Sequence, residues 1–277
     1  MGLTPLVAYC CFGDEYARML EISLRSLAGP GQYQGRVALA TDLDKATLER
    51  LCPMLATMDA LVERIDDPHP LAGKLARYRL HRWFDLARSA PVLYVDCDIV
   101  FDRPVAAILH AIDGAGPICF PSEPSSVAMW SSMGGNFFRA AGLDVAGCGF
   151  NSGTMGIPNG CAFEHRFTLQ LIGATIQDIW THDRLIFDRW IDQPVVNYLH
   201  ARHAIFDTDR LTPFFRYSFQ NDRVDSSYPA RAGAVHFFDD DKAPRMLDYL
   251  ERVLSSSPPD PDCSARRESR WLRWRRI

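Results

Sequence analysis

Lysine is nearly missing from this 277-residue chain: Lys45, Lys74 and Lys242 stand against 27 arginines. No lysine occurs between residues 75 and 241, which excludes chemistry that needs one there, and each lysine present can be judged singly. A Cys-x-x-Cys pair is also absent. The eight cysteines, at 10, 11, 52, 97, 119, 148, 161 and 263, support neither a zinc ribbon nor a dithiol redox motif, and read as small, reduced core residues. Long hydrophobic runs are lacking too. The leading apolar stretch, Leu6 to Cys11, is too short to span a bilayer and no basic region precedes it, so neither a secretory signal nor a membrane span is expected and the chain is placed in the cytoplasm.

Charge of one sign is scarce in the tail. Ser264 to Ile277 carry six Arg and one Glu, whereas residues 1–263 carry 24 basic against 33 acidic residues, a net charge of −9. An acidic body argues against nucleic acid as a partner. In the tail, Trp271, Leu272, Trp274 and Ile277 interleave with Arg270, Arg273, Arg275 and Arg276, a mixture that suits an anionic membrane surface and is equally that of a solvated, disordered end.

What is present is an ordinary globular composition, 47% hydrophobic, in which short apolar runs alternate with amphipathic stretches from residue 6 to about 254. That alternation is the mark of an α/β fold. Strands are expected at Leu6–Cys11, Val37–Ala40, Leu61–Ile65, in the run from Val92, and at Ile118–Phe120, Thr154–Ile157 and Ala234–Phe237. Helices are expected on the face Met19, Leu20, Ser23, Leu24, Leu27, and near Ala46–Leu55, Lys74–Ala87, Val105–Ile112 and Ala162–Ile176. A Gly/Ser/Met-rich loop covers about 122–147, and a segment so long is functional or mobile. The organisation is one domain over 1–254, a Ser/Pro-rich linker over 255–263 and the basic tail over 264–277.

The chemistry-bearing feature is Val92-Leu-Tyr-Val-Asp-Cys-Asp, a buried strand ending in Asp96 and Asp98. A strand's period of two turns both carboxylates the same way at the carboxyl end, where open α/β sheets bind ligands. Hard oxygens so placed suit Mn2+ or Mg2+ held against substrate phosphates. Spacing alone does not establish this, because Asp-x-Asp also occurs at 42/44, 207/209, 239/241 and 260/262. Asp44 precedes an amphipathic stretch and reads as a helix N-cap, whereas Asp98 is followed by Ile99, Val100 and Phe101, leaving no helix start to cap.

Other candidates are each ordinary by themselves. His236 ends an apolar strand, with Lys242 six residues on across the Asp239–Asp241 run, so it is either structural or a third metal ligand beside a phosphate-binding lysine. Asn151 and Gly153, in Phe150-Asn-Ser-Gly, fit either a turn or the hydroxyls of a sugar. Asp192 and Gln193 stand at a helix start marked by Pro194, where Asp192 is either a cap or a site carboxylate.

In order and spacing these pieces resemble glycosyltransferase family 8. The resemblance rests on Tyr78-Arg79-Leu80, seventeen residues from Arg79 to Asp96, Leu93-Tyr-Val-Asp-Cys-Asp98, Phe150-Asn-Ser-Gly153, Asp192-Gln193 with Asn197, and His236 with Lys242. It spans about residues 5–250. It departs from the family's usual pattern where Asp239 replaces a glycine, where Ala243-Pro244 follow Lys242, and where Pro194 follows the Asp-Gln pair.

What the resemblance implies is a GT-A fold, with a Rossmann-like mixed central sheet flanked by helices. It implies transfer of a hexose, with retention, from a nucleotide-sugar donor such as a UDP-sugar to a saccharide or glycolipid acceptor. Asp96, Asp98 and His236 would hold Mn2+ or Mg2+ on the donor diphosphate, and Lys242 would meet the phosphates. Arg79, Asn151, Gly153 and Asp192 would surround the donor sugar, and Asp14 and Tyr16 the base and ribose. Gln193 would sit beside the anomeric carbon as nucleophile or charge stabiliser. Two rivals use the same residues. Asp96-Cys-Asp98-Ile-Val also fits a haloacid-dehalogenase-type phosphatase, although the lysine that chemistry needs is missing downstream. The other rival is a non-catalytic sugar-nucleotide-binding protein.

Overall fold

In the computed structural model the described residues are 3–256, apart from 68, 70, 127–132, 141, 143–147, 161, 183–191, 220–227 and 239. The chain opens with strand β1 (Thr4–Cys11), helix α1 (Asp14–Ala28), β2 (Arg36–Thr41), α2 (Lys45–Leu51) and β3 (Ala60–Arg64). Short helices α3 (Ala72–Ala76) and α4 (Leu80–Trp83) lead to β4 (Ser89–Val95), β5 (Ile99–Phe101) and α5 (Ala106–Asp113). Then come β6 (Ser122–Ser126), α6 (Gly135–Ala140), β7 (Cys148–Phe150), β8 (Thr154–Ile157), α7 (Phe163–His182) and α8 (Asp192–His203). Last are β9 (Phe215–Tyr217), β10 (Ala234–His236) and α9 (Lys242–Ser255).

The main sheet runs β3-β2-β1-β4-β8, parallel except for β8, which is antiparallel to β4. Along β1 and β4 alternate side chains enter two different cores. Val7, Tyr9, Cys11, Leu93 and Val95 pack with α1, α5 and α9, whereas Leu6, Ala8, Cys10, Val92 and Tyr94 pack with α3, α7 and α8. This is why these strands read as unbroken apolar runs: both faces are covered. The expected α/β fold with a mixed, helix-flanked central sheet is therefore observed. A second sheet, β5-β10-β9, stands beyond the end of β4, and β6 and β7 form a third.

Several expectations change. The helix expected over 74–87 is two short helices and a 3₁₀ turn at Leu86–Arg88, because Arg77 and Tyr78 are drawn inward: Arg77 Nη1 donates to Ser152 O at 2.8 Å and Tyr78 Oη to Asp192 Oδ2 at 3.1 Å. The helix expected near 46–55 ends at Leu51, and Pro53 opens a separate 3₁₀ turn. Residues 118–120, set between Pro117 and Pro121, contribute single bridges from Cys119 to Gly156 and Asp207 in place of a strand. The stretch 122–147, expected to be irregular, carries β6 and α6 among its described residues. Helix α7 runs six residues past the expected end. The tail 264–277 and all of the linker beyond Ser256 lie outside the described residues, as does Asp239. Among the described residues no helix is long and apolar enough to cross a membrane.

Candidate active site

The site is assembled where β4 ends. Asp96 follows the strand, and its N–H donates to Gly153 O at 2.7 Å, one step past the Val95–Thr154 pair of β4 and β8. Asp98 lies in the turn leading to β5, so its approach to Asp96 comes from that turn and not from the period of two. Strand β10 pairs antiparallel with β5, setting His236 opposite Ile99, and Phe237 N–H donates to Asp98 O at 3.0 Å. One ligand atom from each of Asp96, Asp98 and His236 falls within 4.8 Å of the others.

Geometry around this triad fits a divalent cation. His236 Nε2 comes within 3.0 Å of Asp98 Oδ1, yet that oxygen and His236 Nδ1 are buried without a hydrogen-bond partner. Buried polar atoms left so are costly, and an ion between the approaching ligands would satisfy the oxygen. Gly153 leaves the space: a Cβ there would come within 2.6 Å of His236 Cε1, 2.7 Å of Asp96 Oδ2 and 2.8 Å of Asn151 Oδ1. Two carboxylates and an imidazole suit Mn2+, and suit Mg2+ less because of the nitrogen.

Lys242 Nζ lies 2.6 Å from Asp98 Oδ2. Lysine at the first position of a helix opposes the macrodipole, so this placement is explained by Asp98 and not by helix α9. Burial alone would raise the Asp98 pKa, but His236 and Lys242 outweigh it and hold the carboxyl well below its usual range. For Lys242, burial acts downward and Asp98 overcomes it, so its pKa is raised. The two partners therefore agree on a charged pair.

A second buried network adjoins the first. Arg77 Nη2 lies 3.0 Å from Asp96 Oδ1 and Nη1 lies 3.4 Å from Asp192 Oδ2. Tyr94 Oη donates to Asp96 Oδ1, and the Arg77 guanidinium sits 5.2 Å from the centre of the Tyr94 ring. Asp192 Oδ2 also accepts from Ser152 Oγ at 3.0 Å. Although burial pushes the Asp192 pKa upward, Arg77, Lys74 and Ser152 prevail and lower it, keeping a buried carboxylate charged at the N-terminus of α8. Gln193 Oε1 accepts from Ser152 N–H at 3.2 Å, and its Nε2 approaches Met133 Sδ at 3.4 Å. Asn197 locks the approach from the other side, donating to Phe150 O at 2.9 Å and accepting from Phe150 N–H at 3.0 Å. Asn151 Oδ1 accepts from Gly153 N–H at 2.7 Å while its Nδ2 donates to Glu123 Oε2 at 3.2 Å.

Asp96, Asp98, His236, Lys242, Asn151, Gly153, Asp192 and Gln193 are thus brought together. Tyr16, half-exposed on α1, is close enough to feel Lys242, Asp98 and Asp96; burial raises its pKa. Asp14 is farther out, exposed and 3.8 Å from Arg50. Arg79 does not join the cluster. It donates to Gln177 Oε1 of α7 at 3.0 Å and lies 3.6 Å from Asp67. The arginine inside the site is Arg77, two residues earlier. Sequence reasoning passed over it because the Tyr-Arg-Leu motif drew attention to Arg79. The signal available was the apolar pattern of Leu75, Ala76 and Tyr78, which frames residue 77 as buried. Glu123 and Tyr94 were likewise missed as site residues.

No family model matches the sequence, and neither does any curated protein. Solved structures do resemble it. The galactosyltransferase LgtC, in complex with donor and acceptor sugar analogues, aligns with a TM-score of 0.60 at 12% identity, covering 94% of this chain and 99% of that one. Mouse xyloside xylosyltransferase 1, in its apo form, aligns with a TM-score of 0.61 at 12% identity over 87% of this chain and 99% of its own. The glycosyltransferase GlyE of Streptococcus pneumoniae gives 0.58 at 14%, over 92% of this chain and 63% of that one. At such identities what is shared is the architecture, and that architecture is the GT-A fold.

Proposed function

We propose that this chain is a cytoplasmic, metal-dependent hexosyltransferase that moves a sugar from a nucleotide-sugar donor, a UDP-sugar, to a saccharide or glycolipid acceptor with retention. The observation that carries the reading is the convergence of Asp96, Asp98 and His236 on one point, with Lys242 on one side and the Arg77–Asp192–Gln193 network on the other. When bound, Mn2+ or Mg2+ would neutralise the departing diphosphate. Lys242 adds a point charge to the same leaving group and the N-terminus of α9 adds the dipole of its backbone. Asp192, held charged by Arg77 and fixed by Ser152, is oriented to accept hydrogen bonds from donor-sugar hydroxyls. Asn151, tied between Gly153 and Glu123, limits the positions that sugar can take. Gln193 stands on the first turn of α8 beside Asp192, with its carbonyl oxygen already oriented by Ser152 N–H; on this reading that oxygen faces the anomeric carbon. Arg77 supplies the cation that the resemblance gave to Arg79. It acts as a positioning residue for Asp96 and Asp192.

The phosphatase alternative is not favoured. That chemistry needs a lysine downstream of the aspartate pair, and none occurs between residues 75 and 241. Slow donor hydrolysis needs no acceptor, so a screen of nucleotide sugars with and without Mn2+ tests the proposal directly. Asp98→Asn should reduce Mn2+-dependent hydrolysis on the order of 10²–10³-fold, while Asp42→Asn leaves it unchanged. Undiminished hydrolysis by Asp98→Asn would remove the metal assignment, and release of phosphate from sugar phosphates would favour the phosphatase.

A further inference from the structure

The face of the molecule behind Tyr78 carries features that donor chemistry does not use. A cavity of about 100 Å³ opens between α4 and α7, lined by Tyr78, Arg79, His81, Arg82, Gln170 and Gln177 among others. Its polar lining is cationic or neutral. Among the described residues Arg82 makes no ion pair and Arg166, the next basic side chain on α7, makes none either, whereas Arg79 has Asp67 at 3.6 Å. His81 Nδ1 is buried without a hydrogen-bond partner, and burial, with Arg82 and Arg166 nearby, lowers its pKa. A body that is net acidic thus concentrates positive charge around a hole the size of one tetrahedral oxyanion.

Helix α7 supplies the second observation. Phe163, Phe167 and Leu171 recur at intervals of four and are 71%, 53% and 38% exposed, the two phenylalanine rings stacking 6.0 Å apart. At 1.5 Å per residue this stripe is about 12 Å long. On one flank of the same helix lie Arg166, Gln170 and Gln177, the last two walls of the cationic cavity; Glu164 lies on the other flank, and Asp178, seven residues past Leu171, continues the line of the stripe beside His182. An apolar stripe with a basic flank matches an amphiphile whose anionic head and hydrocarbon body are adjacent. Charge complementarity on the cavity side selects an acidic lipid over a neutral one.

We propose that the α4–α7 face docks on an anionic lipid surface, a headgroup phosphate entering the cavity between Arg79 and Arg82 while Phe163, Phe167 and Leu171 enter the acyl boundary. The inference is separate from the glycosyltransferase reading and from any role of residues 264–277. It rests on Arg79, Arg82, Arg166, Phe163, Phe167 and Leu171, which touch neither the metal triad nor Asp192; only Tyr78, at the back of the cavity, reaches Asp192. Full-length protein is sedimented with vesicles of pure phosphatidylcholine and with vesicles enriched in phosphatidylglycerol. Wild-type protein should prefer the anionic vesicles. Arg82→Gln with Arg166→Gln should weaken that binding about tenfold or more, since each basic residue near the surface contributes measurably. Phe163→Ser with Phe167→Ser should weaken it independently. Arg82, Phe163, Arg166 and Phe167 are all exposed, Arg82 at the cavity, so circular dichroism and donor turnover in solution should be unchanged. Equal vesicle binding by wild type and both variants would overturn the proposal. So would protection of the cavity by inorganic phosphate in a protein that shows no preference for anionic vesicles.

Discussion

Two Asp-x-Asp pairs follow strands of the same sheet, and only one is equipped for chemistry. Asp42 and Asp44 come after β2; Asp96 and Asp98 come after β4. In the first, Asp42 Oδ1 accepts Gly13 N–H at 2.9 Å and Asp44 Oδ1 accepts Thr47 N–H at 2.7 Å, capping α2 in solvent. In the second, the carboxylates face Arg77, Tyr94, Lys242 and His236 in a site largely closed to water. The spacing is the same. What separates them is burial with opposing charge, and for Asp98 a following strand in place of a helix. The nearby glycines differ in the same way: Gly13 has φ +88 and open space where a Cβ would go, whereas at Gly153 that space is taken by His236, Asp96 and Asn151.

The sharpest way to break the contrast is to remove the charge that holds the buried pair together. Arg77→Leu leaves Asp96 and Asp192 without their shared cation in the interior. A cost of about 3–5 kcal/mol is expected, read as a lower midpoint in urea. Arg50→Leu, which removes the exposed partner of Asp14, should cost almost nothing. Equal losses in the two variants would mean that the second network is no more than surface electrostatics.

Next in size is Gly153→Ala. Contacts of 2.6 to 2.8 Å force His236, Asp96 or Asn151 to move, so Mn2+ affinity should fall about 10–100-fold, as it does when the surroundings of metal ligands are disturbed. Isothermal titration with Mn2+ reads this without any substrate. Unchanged affinity would place the ion elsewhere.

Acidification gives a third measure. The folded-state pKa of Asp192 is lowered, so its contribution to stability is present above the unfolded value of about 3.8 and is lost as pH falls through the folded one. The difference in thermal midpoint between wild type and Asp192→Asn should therefore be constant near neutrality and shrink below about pH 4. A difference that grows on acidification would reverse the assigned sign.

Much of this was legible beforehand, for identifiable reasons. β1, β2, β4 and β8 are covered on both faces, so their composition alone marked them. Asp96, Asp98, His236 and Lys242 could be grouped because the resemblance assigns them, in that order, to one metal and phosphate site. Arg77 was legible only as a residue framed by buried neighbours, not as a site residue, since its role depends on a helix that breaks to let two side chains turn inward, and local propensity favours an unbroken helix there. β6, α6 and β9 were hidden too: β6 is Ser-Glu-Pro-Ser-Ser, whose composition opposes a strand, and its pairing with β7 is supplied by tertiary context.

The smallest effect tests the other half of the comparison. Asp44→Ala removes the hydrogen bond to Thr47 N–H, which also holds the Asp44 pKa below its usual range, but the freed amide is exposed and water replaces the carboxylate. The expected loss is about 2 °C in Tm at neutral pH, with donor turnover and Mn2+ affinity unchanged. Asp44→Asn should recover most of that loss, because an amide oxygen caps nearly as well as a carboxylate. At Asp98 the same exchange cannot be benign, since a neutral oxygen neither balances Lys242 nor binds a divalent ion as strongly. If Asn is tolerated equally at 44 and at 98, the two pairs are alike after all, and the buried one is a structural knot without a metal.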